Sequence, residues 1–162
     1  MSKDTGIIYF SRDGSTRVLA KLLGEKHDAD IIELTEKGKK SGFFKGASKA
    51  TKKLTVELEG EPYNNIASYK KLYLCTPIWA FNGTPAMNAF IENADFADKE
   101  ITIITVKGFA PDGAMGKTQA FLTESVEKKN GKVTKCLEVH GAAIGKTASE
   151  EHIAEQMEKL GI

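Results

Sequence analysis

Residues 6–16 read Gly-Ile-Ile-Tyr-Phe-Ser-Arg-Asp-Gly-Ser-Thr, and this stretch decides the fold class of the chain. Gly6–Phe10 is too short and too continuously apolar for a surface helix, which predicts a strand covered on both faces. From Ser15 to Lys26 the apolar residues recur at helical spacing, so a helix follows the strand after a short loop. A strand that leads directly into a helix is the repeating unit of parallel sheets.

The same alternation continues along the chain. Further strands are predicted at Ile31–Leu34, Leu72–Thr76, Ile101–Val106 and Lys132–Val139. Further helices are predicted at Ala47–Leu54, from Pro85 behind a Thr84 cap to Ile91, around Phe121–Val126, and at Ser149–Leu160. This order predicts one α/β domain over residues 1–162, with a parallel sheet and helices on both of its faces. Ligands bind such sheets outside the carboxyl ends of the strands, so the loops after strands one, three and four are the candidate sites.

The first of these loops, Ser11–Thr16, suits an anion. It holds three hydroxyl side chains and one glycine directly before a helix, where the first backbone N–H groups have no partner and the helix dipole is positive. Gly14 permits the tight turn. A phosphate-binding loop and an ordinary capped helix start both agree with these residues taken alone.

A family resemblance adds to this interpretation. Ser11-Arg12-Asp13-Gly14-Ser15-Thr16 resembles the hydroxyl-x-hydroxyl-Gly-x-Thr phosphate loop of the flavodoxins. The resemblance implies a flavodoxin-like three-layer α/β/α sandwich, a five-stranded parallel sheet in the order 2-1-3-4-5, and FMN as the cofactor. Asp13 departs from the pattern, because many flavodoxins have a hydroxyl residue there. Its side chain would have to turn away from the phosphate or cap the loop, with Arg12 offsetting part of its charge.

The second and third loops extend the resemblance. Thr76-Pro77-Ile78-Trp79 resembles the segment that flavodoxin-like proteins place beside the isoalloxazine ring, and a flat ring binds well between aromatic faces such as Trp79 and Phe81. These aromatic residues also fit a plain hydrophobic lid on the edge of the sheet. The resemblance implies that the loop after strand four contacts the flavin pyrimidine edge through its backbone. The predicted cofactor-binding residues are Ser11, Arg12, Asp13, Gly14, Ser15, Thr16, Thr76, Pro77, Ile78, Trp79, Ala80, Phe81, Asn82, Gly83, Val106, Lys107, Gly108 and Phe109.

Other kinds of site are excluded by spacing. Gly113–Thr118 and Gly141–Thr147 both end in Gly-Lys-Thr, but neither has the glycine spacing or the strand position of a nucleotide P-loop. The three histidines have no metal-ligand spacing with one another or with the cysteines. The sequence predicts no metal site and no catalytic acid, base or nucleophile.

Composition limits the partners and the compartment. The net charge of +1 argues against a nucleic-acid or membrane partner, and no apolar run approaches the ~20 residues that cross a bilayer. Cys75 and Cys136 both lie in apolar stretches, which predicts buried thiols in a reducing compartment. Without a signal-peptide pattern at the start, the predicted location is the cytoplasm.

The segment Lys37–Lys53 carries seven lysines and no acidic residue. It suits docking of an acidic redox partner, attraction of the phosphates of NAD(P)H, or simply a solvated basic face. Phe43 and Phe44 within it are expected to pack against the sheet or near the flavin, and the acidic stretch Glu57–Glu61 is expected to balance its charge.

Three functions follow from these residues. The first is a flavodoxin that carries electrons between redox partners, since the chemistry would belong to FMN and the protein would set its potential. Carriers of this type are strongly acidic, whereas this chain is nearly neutral. The second function is therefore an NAD(P)H-dependent FMN reductase of quinones or small molecules, and the third is a non-catalytic sensor of flavin or another phosphate ligand.

Overall fold

The structure, a computed structural model, describes residues 3–38, 56–79, 82–108 and 113–162. The strands are β1 (Thr5–Tyr9), β2 (Asp30–Glu33), β3 (Lys71–Pro77), β4 (Glu100–Lys107) and β5 (Lys132–His140). The α-helices of the described residues are α1 (Ser15–His27), α2 (Pro85–Asn93), α3 (Ala114–Glu127) and α4 (Glu150–Leu160), and a 3-10 turn spans Pro62–Asn65. The five strands pair with one another in parallel, in the order β2-β1-β3-β4-β5, which confirms the predicted topology.

Two of the predicted helix starts are confirmed in detail. The side chain of Thr84 accepts a hydrogen bond from the N–H of Met87, and Ser149 accepts one from the N–H of His152, so each caps its helix. β1 ends one residue earlier than predicted, at Tyr9. The predicted helix at Ala47–Leu54 lies outside the described residues.

Alternate residues along the strands enter two different cores. Ile8, Leu74 and Ile103 join one apolar cluster with residues of α2 and α3, including Phe90. Their neighbours in the strands join a second cluster with residues of α1 and α4, including Leu19. Because each fully buried aliphatic or aromatic side chain contributes about 1.5–3 kcal/mol, the two clusters hold helices against both faces of the sheet. The three-layer α/β/α sandwich is therefore confirmed.

The prediction that both cysteines are buried is half wrong. Cys75 in β3 is 0% exposed, whereas Cys136 in β5 is exposed. β5 lies at the edge of the sheet, and Val139 is the only one of its residues that is classed as buried. An apolar residue in an edge strand has a sheet neighbour on one side only, which the sequence pattern does not reveal.

The described residues place the base of the basic segment beside β2. Lys37 N–H donates to Glu57 O and Glu59 N–H donates to Thr35 O, both at 2.9 Å. Residues 35–37 and 57–59 are therefore hydrogen-bonded neighbours. Lys37 Nζ also lies 3.4 Å from a Glu57 carboxylate oxygen, which is one contact of the expected charge balance. Residues 39–55, including Phe43 and Phe44, lie outside the described residues. None of the helices in the described ranges is long and apolar enough to span a membrane.

Candidate functional site

The loops after β1, β3 and β4 lie side by side at the carboxyl edge of the sheet. β1 pairs with β3 and β3 pairs with β4, so the three strand ends are neighbours. From β1 the chain continues to β2 on one side of the sheet and then to β3, β4 and β5 on the other. The strand order therefore reverses between β1 and β3, and open parallel sheets bind ligands at such a switch point. The topology therefore brings the three predicted cofactor loops to one place.

The loop after β1 leaves the N-terminus of α1 open. Gly14 precedes the helix with φ +101°, a left-handed conformation that favours glycine, and no side chain caps the helix. The first backbone N–H groups of α1, at Ser15, Thr16 and Arg17, have no partner within the helix because of its geometry. Of the two interpretations that the sequence left open, a helix capped by its own side chains is not what the structure contains. The arrangement suits an anion at this position.

Two buried serines support this open end. Ser11 Oγ accepts a hydrogen bond from Gly14 N–H at 3.1 Å, and Ser15 Oγ accepts one from Ala148 N–H at 2.9 Å. A hydroxyl that accepts from the backbone keeps its own hydrogen for donation. Ser11 is 3% exposed and Ser15 is 9% exposed, so each is held in place by packing as well as by its hydrogen bond. Both side chains can donate to an anion beside α1.

Asp13 does not point its carboxylate at the helix N-terminus. One carboxylate oxygen accepts from Gly145 N–H at 3.1 Å, and the other lies 3.8 Å from Arg12 Nε. The first of the two arrangements expected for Asp13, a side chain turned away from the anion position, is the one that the structure has. Arg12 offsets its charge, as the sequence suggested.

The loop after β3 is closed at its base. Thr76 and Thr84 share a hydrogen bond of 3.1 Å between hydroxyl oxygens, and both residues are fully buried. Asn82 N–H donates to Trp79 O at 3.0 Å, which narrows the loop further. A Cβ at Gly83 would lie 2.3 Å from Asn88 Oδ1, so a larger residue there would have to displace the Asn88 side chain.

Trp79 packs into the protein in this structure. It is 6% exposed and lies edge-on to Phe10, with ring centroids 5.7 Å apart. The Arg12 guanidinium carbon lies 6.0 Å from the centre of the Trp79 ring. In this arrangement the indole closes the sheet edge, as in the second interpretation of this loop, while remaining directly beside Arg12 of the first loop.

The loop after β4 approaches its neighbours through its backbone. Lys107 O accepts from Gly141 N–H at 2.7 Å, and a Cβ at Gly108 would lie 2.6 Å from Ala142 O. Gly108 is therefore required by the close approach of the two backbones.

The predicted cofactor residues differ in exposure. The buried ones are Ser11, Gly14, Ser15, Thr16, Thr76, Trp79, Gly83 and Val106; the half-buried ones are Asp13, Pro77, Ile78, Asn82 and Lys107; the exposed ones are Arg12 and Gly108. Ala80, Phe81 and Phe109 lie outside the described residues.

Sequence reasoning missed the segment between β5 and α4, residues 141–148, which contacts the loop after β1 at Asp13 and Ser15. The signal in the sequence is Gly145-Lys146-Thr147, which resembles the end of a nucleotide P-loop. Reasoning from sequence also missed Asn88, whose side-chain oxygen is buried and has no partner among the described residues. Within those residues, no group of three or more His, Cys, Asp or Glu side chains is placed to hold a metal ion.

Comparison with known proteins agrees with this geometry. A family model described as Flavodoxin matches residues 5–159. No protein with a curated description matches the sequence. Among solved structures, the chain is similar to a candidate flavoprotein from Bacteroides uniformis, with 23% identity, 98% of this chain and 99% of that chain covered, and a TM-score of 0.73.

Two further solved structures have the same fold. One is a flavoprotein in complex with FMN from Lactobacillus acidophilus, with 15% identity over 85% of this chain and 93% of that chain, and a TM-score of 0.64. The other is oxidised flavodoxin 2 from Bacillus cereus, with 17% identity over 94% of this chain and 93% of that chain, and a TM-score of 0.59. At these identities the likeness is one of fold.

Proposed function

This chain belongs to the flavodoxin family, and from that premise we propose that it binds FMN and carries electrons between redox partners. The observation that carries the proposal is the uncapped N-terminus of α1, preceded by Gly14 in the left-handed region and flanked by hydroxyl side chains. A phosphate monoester is the part of FMN that this arrangement suits. The FMN complex of the similar Lactobacillus acidophilus protein supports the same ligand.

The phosphate end of the site fits FMN. The N–H groups of Ser15, Thr16 and Arg17 would donate to phosphate oxygens, and the hydroxyls of Ser11 and Ser15 keep hydrogens for the same purpose. Donors at a helix N-terminus gain from the charge of the phosphate because charge-assisted hydrogen bonds are about twice as strong as neutral ones. Because Asp13 is engaged by Gly145 and Arg12, its charge does not occupy this position.

The ring end of the site lies between the loops after β3 and β4. Trp79, which packs edge-on to Phe10 in this structure, would form an aromatic wall after turning toward the ring, and the backbone at Lys107 and Gly108 would face the polar edge of the ring. The unpartnered oxygen of Asn88 lies under the loop after β3, close to Gly83. An unsatisfied buried oxygen at this position is consistent with a loop that rearranges when a ring binds.

FMN supplies the electron chemistry when it is bound, and the chain binds it, orients it and limits its contact with water. Arg12 contributes a positive charge 6.0 Å from the centre of the Trp79 ring. A fixed cation near the flavin favours the extra negative charge of reduction, whereas apolar walls oppose it. The protein would set the potential through the balance of these two effects.

A second candidate is an FMN reductase that uses NAD(P)H directly. The observation that favours it is charge, because the chain has a net charge of +1 and a lysine-rich segment at Lys37–Lys53, which suit a phosphate-bearing cofactor better than a basic protein partner.

A reductive titration of the FMN-loaded protein, followed over the whole visible spectrum, separates these functions. For the carrier we expect two resolved one-electron steps, and slow NADPH oxidation with a quinone unless a partner reductase is added. Rapid NADPH oxidation without a partner, together with a single two-electron step, contradicts the carrier and supports the reductase.

A further inference from the structure

The segment between β5 and α4 contacts the loop after β1 at three points; we refer to residues 141–148 as the β5–α4 loop. Gly145 N–H donates to the Asp13 carboxylate at 3.1 Å, and Ala148 N–H donates to Ser15 Oγ at 2.9 Å. Thr147 Oγ1 donates to the backbone carbonyl of Asp13. These bonds join residues more than 130 positions apart in the sequence. Both the side chain and the carbonyl of Asp13 are thus held by the same loop.

The β5–α4 loop also packs against Gly14. A Cβ at Gly14 would lie 2.7 Å from Thr147 Oγ1, and one at Gly141 would lie 3.2 Å from Ser15 Cβ. On its other side the loop contacts the end of β4, where Gly141 N–H donates to Lys107 O at 2.7 Å. One loop therefore supports two of the three predicted cofactor loops.

Position 145 requires glycine because of its backbone conformation and not because a side chain would clash there. Its φ is +78°, and no atom lies within 4 Å of the position that a Cβ would take. Another residue would be strained in this left-handed conformation, so the glycine serves to present its N–H to Asp13. The Gly-Lys-Thr sequence that resembles a nucleotide motif is accounted for by contacts from Gly145 and Thr147 to Asp13.

We propose that the β5–α4 loop is a latch on the anion site and that Asp13 is the positioning residue through which it acts. The latch holds the Asp13 carboxylate away from the N-terminus of α1, so the N–H groups there stay open for a phosphate. A negative charge close to a phosphate would otherwise repel it, by an amount that grows as water is excluded. This inference rests on the proposed function, because the phosphate for which the latch keeps the site open is that of FMN.

The test compares FMN and riboflavin affinities of the full chain and its variants by flavin fluorescence. Gly145→Val strains the left-handed turn that presents its N–H to Asp13, which releases the carboxylate and should weaken FMN binding about tenfold. Asp13→Asn removes the charge that the latch holds away, so it should bind FMN at least as tightly as wild type and should restore the affinity of Gly145→Val when the two changes are combined. Thr147→Val removes the donor to the Asp13 carbonyl and should weaken FMN binding severalfold. Riboflavin, which lacks the phosphate, should bind these variants and the wild type nearly equally.

Asp4→Ala is the matched control, because it removes the same charge one residue before β1, at the opposite edge of the sheet. It should leave both affinities unchanged. Wild-type FMN affinity in both Gly145→Val and Thr147→Val, a loss that Asp13→Asn does not reverse, or equal losses for FMN and riboflavin overturns the latch while the proposed function stands. No FMN binding by the wild type overturns the proposed function, and the role of the latch with it.

Discussion

The hydroxyl oxygens of Thr76 and Thr84 lie 3.1 Å apart across the base of the loop that carries Trp79, and both side chains are 0% exposed. Thr76 is the next-to-last residue of β3, and Thr84 Oγ1 also accepts from Met87 N–H at 3.3 Å. A single side chain thus caps α2 and closes the loop. The geometry of the ring end depends on this contact as well as on the aromatic residue itself.

Replacement of Thr84 should therefore affect stability through its hydroxyl group. Thr84→Val removes the helix cap and one of the two hydrogen bonds of the Thr76 hydroxyl, which also donates to Pro77 O at 3.1 Å, and should cost about 1–3 kcal/mol in the free energy of unfolding. Thr84→Ser keeps the hydroxyl and loses one methyl group, so its cost should be smaller. Urea denaturation followed by the fluorescence of Trp79, the only tryptophan, measures both. A loss for Thr84→Ser that equals or exceeds the loss for Thr84→Val would show that the hydroxyl contributes no more than the methyl group.

Gly14 should be essential for FMN binding. Gly14→Val introduces a branched side chain at φ +101°, where its Cβ would lie 2.7 Å from Thr147 Oγ1, and should lower FMN affinity at least a hundredfold. Gly161→Val is the matched control, since Gly161 also has a positive φ, of +68°, but has no atom within 4 Å of the added Cβ. Titration of each purified variant with FMN measures the difference. FMN affinity that is unchanged in Gly14→Val contradicts the assignment of the phosphate loop.

Two fully buried threonines should respond in opposite directions to the same substitution. Thr118 Oγ1 is buried without a partner among the described residues, so Thr118→Val should raise the free energy of unfolding by about 1 kcal/mol. Thr105 Oγ1 accepts from Gln119 Nε2 at 2.9 Å and donates to Leu137 O at 3.4 Å. Thr105→Val should lower the free energy of unfolding by about 1–3 kcal/mol. Thermal and urea denaturation measure both, and a loss of stability in Thr118→Val would indicate that its hydroxyl has a partner.

Stability should fall as the solution becomes mildly acidic, partly because of His27. Burial, followed by the positive charges of Lys26 and Lys71, lowers the pKa of His27 below its usual value of 6.5. The unfolded chain therefore takes up the proton more readily than the folded chain once the pH falls below about 6.5. The free energy of unfolding therefore decreases as the pH falls from about 6.5 to the lowered pKa of His27, and above pH 6.5 His27 does not reduce it.

His27→Gln should remove this component. The measurement is the free energy of unfolding of wild type and variant between pH 7.5 and 5.5, and the difference between them should move in favour of the variant as the pH falls. Parallel profiles would show that His27 is protonated equally in both states.

The sequence was sufficient for the topology because each strand and helix has a local periodic pattern. The parallel order followed from the alternation of strands and helices together with the family resemblance at Ser11–Thr16. Exposure of Cys136 was not predictable in the same way, because apolar character does not distinguish an edge strand from a central one. The contact between Asp13 and Gly145 was also beyond local reasoning, since it joins loops that the fold alone brings together.

The orientation of Trp79 at the ring end of the site could not be predicted from the sequence. The sequence placed Trp79 correctly after β3, but its direction is decided by Phe10, which packs edge-on to it from the end of β1. A pattern of aromatic residues predicts that a loop is apolar, and cannot distinguish a wall for a ligand from a cover for the core. The phosphate end was more predictable because its donors belong to the backbone, whose position a glycine and a helix start determine.

The phosphate site is best tested by equilibrium titration of the protein with FMN and with riboflavin, followed by quenching of flavin fluorescence and of Trp79 fluorescence. We expect saturable one-to-one binding of FMN, clearly weaker binding of riboflavin because the donors at the α1 N-terminus have no phosphate to bind, and quenching of Trp79 by both ligands. Equal affinity for the two flavins, or no binding of FMN, would contradict it.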